Sequence, residues 1–253
     1  MIVDFLALSL LGGGAVAAVL ILGRRGARPF RRGLDRLAAR RGWRIDEVEG
    51  QGGDRYALRI VPADGDWTVD VRETGRSQPG RSDITSFRRA AFHGPTPAMP
   101  GGGWLVVLPA LPADRLGGVA LGVLSAGRLT GDRLLHDRLA GLLPEAGRAA
   151  LEEGPPQPVD LPGLPPRRAA YVVGGGALPD GPARDRLAQV LGAALATWPA
   201  AGRDGPRAPA IILGPDGLRL VQGLPVHPLS PALPVLERLV DGAQALRAAL
   251  TQV

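Results

Sequence analysis

Residues 5–22 form an unbroken run of uncharged, mainly apolar side chains, FLALSLLGGGAVAAVLIL, and the stretch after it is dense in arginine. As a helix at ~1.5 Å per residue the run spans roughly 27 Å, the depth of a bilayer's hydrocarbon core. The residues before it, Met1 to Asp4, hold no basic side chain, and the Ala15-Val16-Ala17 triplet lies inside the run instead of after it. That pattern predicts an uncleaved anchor and not a removed export signal. Because the arginines flank its C-terminal side, the positive-inside bias predicts the N-terminus out and the body cytoplasmic, in a single-pass protein of a bacterial inner membrane. Within the anchor Ser9, Gly13 and Ala17 recur at four-residue intervals. This is the small-residue spacing that lets two membrane helices pack closely, so another membrane protein is the partner expected there.

The next pattern is helical. Phe30, Leu34, Leu37 and Ala38 share one face of a basic amphipathic helix. The stripe is expected to dock on the domain that follows, while Arg24, Arg25, Arg28, Arg31 and Arg32 meet anionic lipid headgroups, each adding ~1 kcal/mol near a surface.

Past Gly42 the period drops to two. Tyr56, Leu58 and Ile60 alternate with polar or small residues, as do Trp67, Val69 and Val71, and Pro62 to Asp66 between them has turn chemistry; this is a hairpin with one buried face. DITSFRRAAF reads as a third strand, and WLVVLPAL from Trp104 as a strand at a sheet's centre. Helical patterns fill residues 114–151. After a proline-dense stretch come a strand (AAYVVGG), a helix capped by Asp180, a hairpin turned at Gly214–Gly217, and a last helix entered at Ser230 and Pro231. The predicted class is therefore α+β, a single N-terminal transmembrane helix followed by a two-lobed body of antiparallel sheets packed with helices. Its expected divisions are an anchor over 1–23, a basic juxtamembrane helix over 24–42, a first lobe over 43–153, a Pro-rich linker over 154–167 and a second lobe over 168–253.

Charge changes this picture less than its total suggests. The formal charge is +6, but residues 24–44 hold nine Arg against Asp35 alone, a local +8 that leaves the rest of the chain at −2. A basic stripe beside a near-neutral body is not the footprint of a nucleic-acid-binding domain, and none is expected as a partner. All thirty basic residues are Arg, and the chain has neither Lys nor Asn. Both missing residues have A-rich codons, so a GC-rich genome accounts for the bias.

Candidate chemistry is sparse. There is no cysteine, so no thiolate nucleophile or disulfide, and His93, His136 and His227 lie too far apart in sequence to read as a metal set. A Walker loop is impossible without lysine. The Gly-rich turn Gly174-Gly175-Gly176, entered by a strand and left by a helix, is the best candidate for an anion or small ligand, although Pro179 stands where a dinucleotide-binding turn needs glycine. No catalytic residue, cofactor or metal is expected. The leading reading is a membrane-anchored, cytoplasm-facing, non-enzymatic interaction or accessory protein. The alternatives are a ligand- or anion-binding module using turn 174–182, and an enzyme whose site sequence order hides. Converging arginines in the folded body would favour the second, and a buried His/Asp pair in a cleft the third.

Overall fold

The computed structural model describes residues 29–50, 54–63, 65–77, 84–97, 102–109, 131–198, 208–226 and 232–252. The anchor run, its Ser9, Gly13 and Ala17, and Arg24, Arg25 and Arg28 lie outside these residues. Among the described residues no helix is long and apolar enough to cross a membrane.

The first described element is a helix over 29–41, α1. Phe30, Leu34, Leu37 and Ala38 are all buried, so the stripe docks on the body. Gly42, at φ 67°, ends the helix with the left-handed turn that glycine adopts without steric cost. The chain then enters β1 (Trp43–Glu47), followed by β2 (Asp54–Pro62), β3 (Thr68–Ser77), β4 (Ile84–Gly94) and β5 (Trp104–Pro109). Two helices come next, α2 (Gly131–Ala140) and α3 (Glu145–Glu153), then β6 (Gln157–Val159), β7 (Arg168–Val173) and α4 (Pro182–Ala196). The hairpin β8 (Ala210–Gly214) and β9 (Gly217–Leu224) precedes the last helix, α5 (Ala232–Leu250).

The class is α+β, built on one nine-stranded antiparallel sheet in the order β1-β2-β3-β4-β9-β8-β5-β7-β6. The antiparallel sheets expected of the two lobes are thus one sheet. β4 pairs with β9, and β5 lies between β8 and β7, so strands from both halves of the chain alternate across the sheet. The continuous apolar run of β5 fits that central place, because both of its faces are buried. The stretch 154–167 is likewise no free linker. β6 within it pairs with β7, Leu161 is buried, and the Asp160 carbonyl accepts from Arg184 of α4. Proline removes an N–H donor, and that is tolerable here because β6 is an edge strand with one side of its backbone unpaired. Asp180 is not the cap of α4 either; Gly181 holds that position, and no side chain caps it.

Apolar burial sorts the helices into two layers. One core joins α1, α4 and α5 to the face bearing Leu58, Val69, Phe92, Leu105, Ile211 and Leu220. The other joins Leu139 of α2, Leu143 of the turn after it and Leu151 of α3 to Ala91, Val106, Ile212 and Val221 on the opposite face. This second layer is shorter than the sheet. Its strand members come from β4, β5, β7, β8 and β9, and none from β2 or β3. Among the described residues, then, no helix packs on the second face of the sheet's first strands, and a ledge runs along β4 and β9 where the described helices stop.

Candidate functional site

The ledge is built by period-two alternation. On β4, Arg89, Ala91 and His93 point to the partly covered face; on β9, Arg219, Val221 and Gly223 do the same. The register sets His93 opposite Arg219, Ala91 opposite Val221 and Arg89 opposite Gly223. One strand further out, Arg72 lies directly across from Arg89. Like charges facing each other across a sheet are destabilising, so this pairing opposes folding unless something else neutralises it.

Neutralisation reaches only the outer strands. Arg59 binds Asp70 through two bonds, of 2.8 and 3.3 Å, and Arg72 approaches Asp54 at 3.7 Å. Among the described residues Arg89 donates only to the Gly141 carbonyl, at 2.8 Å, which fixes it at the turn between α2 and α3. Arg148 on α3 is exposed. Among the described residues Arg89, Arg148 and Arg219 form no ion pair with a carboxylate. The Arg219 Nε is buried with no hydrogen-bond partner. An unmet buried donor costs about 1–3 kcal/mol, more when the group is charged.

Electrostatics follow from that crowding. Arg219 is pushed down to about 10, first by burial and then by Arg89, with Arg72 and Arg148 adding and Asp70 opposing. It still carries its charge at neutral pH. Arg89 is lowered in the same sense, by burial and by Arg72, although its exposed side chain makes solvent screening stronger there. His93 is pushed down to about 4 by burial and by Arg219, against the pull of Asp70, and is neutral across the physiological range. Burial dominates this shift, and the Asp70 carboxylate is held by Arg59.

Beside His93 and Arg219 a small cavity of about 50 Å³ is closed by Trp104, Pro144, Ile212 and the turn at Asp216. Water's share of liquid volume is roughly 30 Å³, so no organic ligand enters. The Asp216 carboxylate would also repel an anion from it. Gly223 has open space where a Cβ would stand.

The candidates read from sequence lie elsewhere. Gly174 leaves room for Trp104 and Ala150, and Gly176 packs backbone to backbone on Gly103. Arg31 is engaged with Asp35 at 3.0 Å and Glu47 at 3.4 Å, whereas Arg32 is exposed without a carboxylate partner. Among the described residues no three His, Cys, Asp or Glu gather as a metal set, and His227 lies outside those residues. No family model, curated protein or solved structure matches this chain.

Proposed function

We propose that the protein is a non-enzymatic, membrane-associated accessory protein whose folded body captures an anionic group at the β4–β9 ledge. One observation carries the reading: Arg89 and Arg219 share the partly covered face on neighbouring strands and, like exposed Arg148 of α3, form no ion pair with a described carboxylate, while the Nε of Arg219 is buried without a hydrogen-bond partner. A folded chain retains such unfavourable charge where a ligand offsets it. The membrane placement is supported by the apolar run 5–22 and by the outward Arg32 and Arg36, which continue the arginine stretch on the solvent side of docked α1.

The test is thermal unfolding of the full chain in mild detergent, at constant ionic strength, with a panel of phosphate, sulfate and carboxylate anions. An anion at a hundred times its Kd adds about 2.7 kcal/mol to stability. At roughly 2–4 °C per kcal/mol the melting temperature rises by about 5–10 °C. The triple variant Arg89→Gln, Arg148→Gln, Arg219→Gln loses that rise. Equal shifts in the two proteins would remove the ledge as the site, and release of the wild-type chain from membranes by carbonate would remove the anchor.

A further inference from the structure

The outer side of α1 bears on how the body meets a membrane. Docking uses up the helix's apolar stripe, since Phe30, Leu34, Leu37 and Ala38 are all buried. At helical spacing the residues directly opposite that stripe are Arg32, Arg36 and Ala39, and all three are exposed. In sequence Arg24 and Arg28 precede Arg32 at the same four-residue interval. Like charges four apart on a helix repel, so such a row weakens the helix that carries it unless an anionic surface lies over it.

The carboxylates beside the row are already taken. On one flank Arg31 holds Asp35 at 3.0 Å and Glu47 at 3.4 Å. On the other, Arg40 holds Glu237 at 2.7 Å and Arg41 holds Asp241 at 3.1 Å. Arg36 donates to the Arg32 carbonyl, at 3.4 Å, and so lies along the same line. Among the described residues neither Arg32 nor Arg36 forms an ion pair. The outermost line of the helix is therefore cationic, with no acidic side chain left over to oppose an anionic partner.

Covalent length supplies a second constraint. Only residues 23–28 separate the apolar run from α1, and fully extended they cover roughly 25 Å. The start of α1 is locked into the body, with the Phe30 ring 4.0 Å from the Arg88 guanidinium. A body tied to a bilayer by so short a segment is held close to its surface.

Resting on the membrane anchor of the reading above, we infer that the outer side of α1, centred on Arg32, Arg36 and Ala39, lies on anionic lipid headgroups and so fixes which way the body faces. The layer of α1, α4 and α5 is turned to the bilayer, and α2 and α3, on the opposite face of the sheet, are turned away. The β4–β9 ledge shares that far face. Between it and the lipid stand the sheet and a helix about 10 Å across. This exceeds the ~8 Å over which physiological salt screens a charge, so the ledge draws its anion from solution and not from the bilayer surface.

The chain has no cysteine, so a single introduced one labels uniquely. Ala39→Cys on α1 and Ala149→Cys on α3, both exposed positions, are labelled with a fluorophore in the full chain. The labelled chains are then reconstituted in vesicles carrying a headgroup-attached quencher. In phosphatidylcholine mixed with phosphatidylglycerol, the label at position 39 is expected to be quenched severalfold more than the label at 149. In phosphatidylcholine alone the gap narrows. Arg32→Gln together with Arg36→Gln lowers the preference for this orientation about thirtyfold, at about fivefold for each basic residue near anionic lipid. The same pair changes the melting temperature by no more than about 2 °C, because both sites are exposed. Arg32→Lys with Arg36→Lys keeps the gap, since the surface reads charge. Equal quenching at the two positions, in a chain that still resists carbonate extraction, would overturn this surface and leave the anchor standing. A gap untouched by the change to glutamine would do the same. Release by carbonate would overturn the anchor and the surface together.

Discussion

Arg88 and Arg89 are neighbours on β4 and point to opposite faces of the sheet. Arg88 is 4% exposed and lies in a closed layer. Its Nε and an Nη hold the buried Glu73 carboxylate at 3.0 and 2.6 Å, and its guanidinium lies 4.0 Å from the Phe30 ring of α1. Tyr56 stacks on Phe30 beside the pair, its phenol held above the ordinary range mainly by burial. Arg89, one residue on, is exposed, faces Arg72, and has a single backbone carbonyl for company. The same side chain is fully compensated where the helix layer closes and uncompensated where it stops. Completed compensation reads as structure; the missing compensation is what marks the ledge as a place for something else.

The comparison breaks most severely on the closed side. Arg88→Met leaves the Glu73 carboxylate buried without its main partner, and removing one member of a buried pair costs about 3–5 kcal/mol. Arg55, at 3.9 Å from Glu73, is too distant and too exposed to replace it. Changing Glu73→Leu together with Arg88→Met removes both charges and is expected to recover most of the loss. Urea midpoints of the three variants measure this directly. A loss below about 1 kcal/mol for the single change would mean that water already reaches the pair, and the contrast between the faces would fail.

On the open side the titrating group is His93. Its folded pKa of about 4 lies below the ordinary value of 6.5, so between those values the unfolded chain binds more protons than the folded one. Stability is thus full above pH 6.5 and declines as the pH falls toward 4, by on the order of 2–3 kcal/mol. In His93→Gln this part of the acid slope is absent. Urea midpoints at pH 7 and pH 4.5 check it, and parallel slopes in the two proteins would show that solvent reaches the imidazole freely.

Much of the closed side was legible in the sequence. Phe30, Leu34, Leu37 and Ala38 gave the docked face of α1, Leu58 with Val71 the buried face of the hairpin, and Leu236 to Leu250 the buried face of α5. These follow from periodicity, a local property. The single sheet was not legible, because which strand lies beside β5 depends on pairing between distant segments that no period records. Nor was β6, where Pro155, Pro156 and Pro158 signalled a linker while an edge position tolerated the missing donors. The ledge was hidden for a further reason. Arg89, Arg148 and Arg219 are unremarkable among thirty arginines, and what sets them apart is that none forms an ion pair with a described carboxylate, which only the assembled sheet reveals. One signal was available: Arg88-Arg89 within an alternating strand requires one arginine on each face, so one of them had to be buried or reserved.

The smallest expected effect is the most discriminating, because its sign is unusual. At neutral pH the charge of Arg219 is held in the fold against burial and against Arg89, Arg72 and Arg148. Replacing it with a neutral side chain relieves that opposition. Arg219→Gln is therefore expected to raise stability, by about 1 kcal/mol at low ionic strength, while the response to anions disappears. Salt separates the two contributions: the Debye length falls to about 10 Å at 0.1 M, so the part due to repulsion shrinks while the part due to burial persists. Urea midpoints of the wild type and Arg219→Gln at 20 and 300 mM salt (roughly 20 and 6 Å of screening) give both. A variant that is less stable at each salt concentration would show that Arg219 packs and caps the β9 end of the sheet as an ordinary structural residue. The open face would then be the counterpart of the closed one, compensated by its own neighbours, with nothing held in reserve for a ligand.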